Sequence, residues 1–258
     1  MINEAYIKTA IEKAKICKYS SINYIEYEDC KNAEILHDND DLILWLDKTQ
    51  KRPMLYFATN DFEQVISSIA SIDGNLRLHF VPKLYMANLK SLGFLEWGEY
   101  QGFFSRDTVK IVEQFPCNEP PEFAKPNEAK EAMNVVKSCE LQSRGFEGYP
   151  LSFYEEMAAQ GKILINQKNN EIAGVCTVDI YDSGRPTLHI REIATAPAYQ
   201  GRGIAKKLLS QAFEWGITHC ASQAFLLADI LNTGAIALYN KYGFVPDDDD
   251  TELQMIRE

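Results

Sequence analysis

The segment that most restricts the fold is an apolar run at 188–195 that passes through Ala196-Pro197-Ala198-Tyr199-Gln200 into Gly201-Arg202-Gly203 and then a helical pattern from Ile204. An extended run ending in two glycines one residue apart and opening into a helix is a strand–turn–helix unit. Glycine takes backbone angles closed to other residues, so the turn can be tight and several N–H groups can converge. The first turn of a helix has no carbonyls to satisfy those groups, and the helix dipole is positive there. Such a loop cradles an anion, phosphate above all, without needing a lysine. A dinucleotide fingerprint would require a third glycine where Lys206 stands, and a Walker-type loop would require Gly-Lys-Ser/Thr at the helix start. Neither is met, which leaves an anion cradle or a plain glycine turn before an amphipathic helix.

Two blocks carry a family resemblance. Gln200-x-x-Gly203-x-Ala205 resembles the pyrophosphate loop of the GNAT superfamily of N-acetyltransferases. Asn232-Thr233-Gly234-Ala235-Ile236-Ala237-Leu238-Tyr239-Asn240-Lys241-Tyr242-Gly243-Phe244 resembles the family's closing helix. The resemblance covers residues 122–258. It implies an α/β (α+β) fold with a mixed, mostly antiparallel central sheet flanked by helices. It also implies acetyl-CoA as cosubstrate, no metal, and direct attack by the amine of a small or amino-acid-like acceptor.

The same resemblance distributes roles. Gln200, Gly201, Arg202, Gly203, Ile204, Ala205 and Lys206 would hold the pyrophosphate, with Arg202 adding charge. Ile193, Ala194 and Thr195 would pair with the pantetheine amides as a strand edge, and a strand N–H near Ile193 would face the thioester oxygen. Asn232 would add one hydrogen bond, or cap the helix after it. Tyr239 matches the family tyrosine that protonates the leaving thiolate. Counting back from Gln200 places His189 and Arg191 where members of the family carry a base. His189 has the ordinary proton affinity for the task, whereas Arg191 suggests recognition of an acceptor carboxylate. Glu192 is the rival base, and strict strand alternation turns it to the face opposite His189. Phe146, Glu147 and Tyr149, between two helices, are expected to line the acceptor pocket or to form an ordinary surface turn.

The first half repeats the order of the second. A helix over 3–19 precedes strands at 42–46 and 54–59, a helix at 62–70 capped by Asn60-Asp61, a strand at 76–80 and a helix at 83–92 ending in Gly93-Phe94. That pair lies 150 residues before Gly243-Phe244, which suggests an internal duplication. The first copy is degraded: Pro82 and Leu89 stand where the second has Asn232 and Tyr239. Only 34 residues lead from Thr59 to Gly93, against 48 from Thr195 to Gly243, so the glycine loop is missing. The expected organisation is a degenerate GNAT-like domain at 1–115 without a cofactor site, a proline-rich linker at 116–121, and a catalytic domain at 122–258.

Composition bounds the partners. A net charge of −11 over 258 residues argues against nucleic acid and favours cationic ligands such as amines. Asp247-Asp248-Asp249-Asp250 is expected in a turn before a final strand at 253–256, as a solvated face or as a border of the acceptor mouth. Cys17, Cys30, Cys117, Cys139, Cys176 and Cys220 are scattered, without metal-site or disulfide spacing. The start of the chain lacks a signal-peptide pattern, and no apolar run reaches the ~18 residues of a membrane span. The expectation is a cytoplasmic monomer or homodimer. A non-catalytic CoA-binding module, or an enzyme using another acyl-CoA, is the competing reading.

Overall fold

The computed structural model describes residues 3–25, 27–49, 52–117, 119–139, 144, 148–182 and 184–258. The chain divides into two compact units, Met1–Glu99 with Glu252–Glu258, and Tyr100–Thr251.

In the first unit, α1 (Glu4–Ala14) is capped by Asn3, whose Oδ1 accepts the Tyr6 N–H at 2.9 Å. Then come β1 (Tyr19–Ser20), α2 (Tyr27–Cys30), β2 (Glu34–Asp38), β3 (Leu42–Asp47), β4 (Met54–Thr59), α3 (Phe62–Ile69), β5 (Leu76–Leu78), α4 (Met86–Ser91) and the start of β6 (Leu95–Ser105). β3 and β4 are buried on both faces, which is why they read as unbroken apolar runs. Leu42, Leu44, Leu46, Leu55 and Phe57 pack with Phe62, Val65 and Ile69 of α3. Ile43, Trp45, Met54, Tyr56 and Ala58 pack with Ile7, Ala10 and Ala14 of α1. β4 and β5 are parallel, joined by α3. The strand expected at 76–80 stops at Leu78, and Phe80 has a left-handed φ of +55°. The helix expected at 83–92 is a 3-10 turn at Lys83–Tyr85 followed by α4.

The second unit contains the rest of β6, α5 (Thr108–Gln114), β7 (Glu122–Phe123), α6 (Ala129–Lys137), α7 (Leu151–Ala159), β8 (Ile163–Lys168), β9 (Glu171–Asp182), β10 (Pro186–Thr195), α8 (Ile204–Thr218), β11 (Gln223–Asp229), α9 (Thr233–Lys241) and the first part of β12 (Val245–Arg257). Its strands run β6-β11-β10-β9-β8-β7. All neighbours in that order are antiparallel except β10 and β11, which α8 connects as a parallel crossover. Asn169 and Asn170, both at positive φ, form the tight turn between β8 and β9. One face of the sheet packs Val178, Leu188 and Ile190 against Leu208, Leu209, Ala212 and Phe213 of α8. The other packs Ile163, Ile165 and Val175 against Ala132 and Val136 of α6 and Tyr154, Met157 and Ala158 of α7. Before α6, Asn127 lies inside a 3-10 turn at Pro126–Glu128, where Glu128 Oε2 accepts the Lys125 N–H.

The division does not follow the expected boundaries. The proline-rich stretch expected as a linker is tied to α8 at Cys117, Glu119 and Pro120. Glu214 Oε1 on α8 accepts the Cys117 N–H at 2.9 Å, and Gln211 donates to the carbonyls of Glu119 and Pro120. Phe115 stacks on Tyr242 with ring centroids 4.3 Å apart. Proline content marked the end of regular structure correctly but could not show that the segment is pinned. The second unit instead begins within β6, because residues 100–105 pair with β11, from Ala224↔Ser105 to Asp229↔Tyr100. The end of β12 belongs with the first unit, where Met255 pairs with Leu78. The acidic run at 247–250 lies within β12 rather than in a turn.

Candidate functional site

The glycine loop forms with both glycines left-handed, Gly201 at φ +73° and Gly203 at +78°, and no heavy atom lies within 4 Å of where a Cβ would sit on either. Gly203 is the N-cap of the fifteen-residue α8 and offers no side chain to its N-terminus. The Lys207 N–H bonds back to the Gly203 carbonyl at 3.0 Å, so Ile204, Ala205 and Lys206 form the first turn, whose N–H groups have no carbonyl one turn earlier. The Gln200 side chain turns back to donate to the Thr195 carbonyl at 3.0 Å, which ties the loop to the end of β10. The Arg202 guanidinium sits 5.5 Å from the ring of Tyr199, whose hydroxyl donates to Glu171 at 3.1 Å.

α8 lies close over the sheet because of Gly174 on β9. A Cβ there would stand 2.4 Å from Ile204 Cγ2 and 3.0 Å from Leu208 Cδ1. The missing side chain therefore sets the height of the helix N-terminus above the strand.

β10 and β11 pair from Thr187↔Gln223 to His189↔Phe225, and no further pair between them occurs among the described residues. Beyond that point β10 stays with β9 as far as Thr195↔Gly174, while β11 stays with β6 as far as Asp229↔Tyr100. The strands thus part along Ile193, Ala194 and Thr195, leading directly to the glycine loop. The Thr195 carbonyl accepts from Gln200 and from the Cys139 thiol, and its Oγ1 is buried without a protein partner.

The register of β10 against β9 corrects the alternation argument for Glu192. His189 opposes Asp179 and Ile190 opposes Val178, but Glu192 opposes Thr177, so Arg191 is the extra residue of a β-bulge. Residues 177 and 179 share a face of β9, and directly opposed residues point the same way. Glu192 is therefore on the same face as His189, and one bulge gathers His189, Arg191 and Glu192 together. Glu192 is 7% exposed. Tyr154 donates to its Oε1 at 2.8 Å and Thr177 to its Oε2 at 3.2 Å. Burial raises its pKa to about 7, more than these two donors and Arg191 lower it.

Residues 129–244 match the family model described as acetyltransferase (GNAT) family. That stretch is a GNAT acetyltransferase domain. No curated protein matches the sequence significantly. Among solved structures the chain is similar to a GCN5-related N-acetyltransferase from Sphaerobacter thermophilus, at TM-score 0.59 and 14% identity over 84% of this chain and 76% of that one. It is also similar to a GNAT-family acetyltransferase from Colwellia psychrerythraea, at 0.58 and 11% over 99% and 97%. A GCN5-related N-acetyltransferase-like protein from Streptococcus suis matches at 0.53 and 12% over 99% of both chains. At such identities the likeness is one of fold.

Within the GNAT domain the remaining expected residues divide. His189 stacks between Tyr181 at 4.8 Å and Phe225 at 5.3 Å, with Nδ1 buried and without a protein partner. Burial, reinforced by Arg191, lowers its pKa to about 3, so its imidazole is a poor proton acceptor near neutrality. Arg191 is held by Asp179 at 3.4 Å and lies 5.6 Å from the Tyr181 ring and 6.0 Å from that of Phe153, and it donates to Tyr149. Asp179 also pairs with Lys162 at 2.9 Å. Its burial would raise its pKa, but Lys162, the Ile180 N–H and Arg191 outweigh this and lower it.

Tyr239 is buried between Phe103 and Phe244, and desolvation raises the pKa of its phenol, with Cys176 adding to the effect. Glu192 in turn acts on Cys176, so the thiol lies electrostatically between the two. Asn232 caps α9, with Oδ1 accepting the Ala235 N–H at 3.1 Å. Tyr149 stacks on Phe153 at 4.1 Å. Phe146 and Glu147 lie outside the described residues. Arg144, just before them, is fixed to the end of β11 by its backbone N–H and guanidinium, both bonded to Asp229.

Sequence reasoning passed over Tyr154, Thr177 and Asp179. The signal for two of them was available. Thr177, Asp179 and Tyr181 alternate with apolar Cys176, Val178 and Ile180, the pattern of a strand with one polar face.

Proposed function

We propose that the GNAT domain transfers an acetyl group from acetyl-CoA to the amine of a small, amino-acid-like acceptor by direct attack, with Glu192 as the general base. The observation that carries this reading is the buried carboxylate of Glu192, with a pKa of about 7, placed by the bulge just beyond the last β10–β11 pair at His189. A base with that proton affinity is half ready at neutral pH and holds an abstracted proton well.

The residues present fit acetyl-CoA. The first turn of α8 and the open glycine loop suit a pyrophosphate, and the unpaired edge at Ile193, Ala194 and Thr195 suits an amide-bearing arm. When bound, acetyl-CoA supplies the acetyl group as an already activated thioester. Glu192 takes the proton from the acceptor nitrogen, and the backbone N–H near Ile193 donates to the carbonyl oxygen as charge gathers there. Tyr239 retains its proton at working pH and gives it to the departing sulfur. His189, Arg191 and Tyr149 line the acceptor side, with Arg191 orienting an anionic or polar group of the acceptor. The chain's net charge of −11 favours the approach of a cationic amine.

The first unit is proposed as a degenerate copy without a cofactor site. Both units close the helix before Gly-Phe alike: the N–H of Phe94 reaches the Leu89 carbonyl, and that of Phe244 the Tyr239 carbonyl, each at 3.1 Å. In the first unit, however, α3 follows β4 without a glycine loop. Its N-terminus already has an anion, since Asp61 Oδ1 accepts the Glu63 N–H at 3.1 Å.

Thiol release from acetyl-CoA, measured across a panel of amines and amino acids, tests the reading. An acceptor-dependent rate in the wild type, lowered on the order of 10²–10⁴-fold in Glu192→Gln, is the expected result. Tight acetyl-CoA binding with no transfer to any amine would favour a CoA-binding module instead.

A further inference from the structure

We propose that Tyr154 and Thr177 are positioning residues that fix both oxygens of Glu192 and hold it in the ionised, proton-accepting form. The inference rests on the assignment of Glu192 as base and extends it to the two groups that make that assignment workable. A carboxylate with 7% of its surface exposed is expensive to ionise and free to rotate unless something holds it. Here one donor reaches each oxygen: the Tyr154 hydroxyl from α7 at 2.8 Å and the Thr177 hydroxyl from β9 at 3.2 Å. Tyr154 is itself fully buried, and its phenol has its pKa raised by desolvation and then by Glu192, so it remains a donor. The two donors approach from different elements, which fixes the plane of the carboxyl group as well as its charge.

The other charged and titratable groups around Glu192 do not duplicate this. On β10, Arg191 adds an attractive charge but is engaged by Asp179 and Tyr149, and His189 stays neutral near pH 7. On β9, Cys176 is a buried thiol whose ionisation is opposed by burial and by Glu192, and Asp179 is paired with Lys162 from β8 and with Arg191. Tyr149, before α7, is a half-buried phenol with its pKa raised by desolvation. Only Tyr154 and Thr177 donate hydrogen bonds to the carboxylate among the described contacts. Donors to the charged form stabilise it, so deleting either hydroxyl must raise the pH at which the base becomes competent.

The test is the pH profile of kcat/KM for the wild type, Tyr154→Phe, Thr177→Val and Glu192→Gln, with acetyl-CoA and the best acceptor from the amine panel. Both hydroxyl deletions preserve side-chain shape. Each should move the acidic limb upward by about one pH unit, the size expected for losing a hydrogen bond to a charged group. The rate at pH 6 should then fall about tenfold, with little change at pH 9. Glu192→Gln should abolish the limb. A purely structural role for Tyr154 or Thr177 would lower the rate at every pH and leave the limb where it is. Limbs coincident with wild type in both deletions, beside a limb lost in Glu192→Gln, would overturn the proposal while leaving the base assignment intact. A wild-type limb in Glu192→Gln would overturn both. Should Tyr154→Phe fold poorly, Thr177→Val alone decides by the same shift.

Discussion

The proposed chemistry sets side by side two neighbouring titratable residues whose proton affinities burial drives in opposite directions. Desolvation opposes charge, so it raises the carboxyl pKa of Glu192 to about 7 and lowers that of His189 to about 3. The residue with the favourable ordinary pKa is therefore the poorer base. His189→Ala should retain the acidic limb of the rate profile, and a pH titration of kcat/KM that loses the limb would return the role to His189. Glu192 also carries a stability signature. Between its ordinary 4.5 and about 7, the folded chain keeps a proton that the unfolded chain has released, so stability falls as pH rises through that window. The cost is complete above pH 7 and amounts to about 3 kcal/mol. Glu192→Gln should consequently gain stability over wild type at pH 8 and show little gain at pH 4.5 in urea denaturation. A gain independent of pH would mean that Glu192 ionises freely in the fold.

At the scale of elements, the site depends on how α8 meets the sheet. Gly174 permits the approach, and alanine there would put a methyl group 2.4 Å from Ile204 Cγ2. Gly174→Ala should cost about 1–3 kcal/mol in chemical denaturation and weaken acetyl-CoA binding as the helix start is displaced. Normal affinity in that variant would show that the loop does not rely on the packing height of α8. The loop itself can be tested with Gly203→Asp, which brings a carboxylate to the helix N-terminus, against Gly203→Ala, which brings only the strain of a side chain at φ +78°. Calorimetry should show acetyl-CoA affinity falling far more in the aspartate variant. Equal losses would mean that the loop binds no anion. The bulge at Arg191 belongs to this scale too, since one extra residue in β10 decides which side chains share a face.

For the whole molecule, the two units share a plan of an antiparallel pair, a crossover helix, a parallel strand and a helix ending in Gly-Phe. They differ where the cofactor would sit. The first unit has Asp61 at the start of α3, and Leu89, fully buried, at the position that Tyr239 holds in the second. Calorimetric titration should therefore give one acetyl-CoA per chain. Two equivalent sites would show that the first unit binds by a route other than a glycine loop.

Local chemistry, which needs no partner from elsewhere in the chain, was legible in the residues themselves. The two glycines before α8 form the expected tight turn, and the apolar runs at 42–46 and 54–59 form the expected strands β3 and β4. The two quoted blocks were enough for the family. What depends on register or on distant packing was not legible. No count along β10 reveals that Arg191 is an extra residue against β9, so strict alternation sent Glu192 to the wrong face. The burial that separates the proton affinities of Glu192 and His189 comes from α7, β9 and β11. The proline-rich stretch at 116–121 looked like a linker because proline forbids regular structure. Its anchoring by Gln211 and Glu214 of α8, nearly a hundred residues away, exists only once the helix is in place.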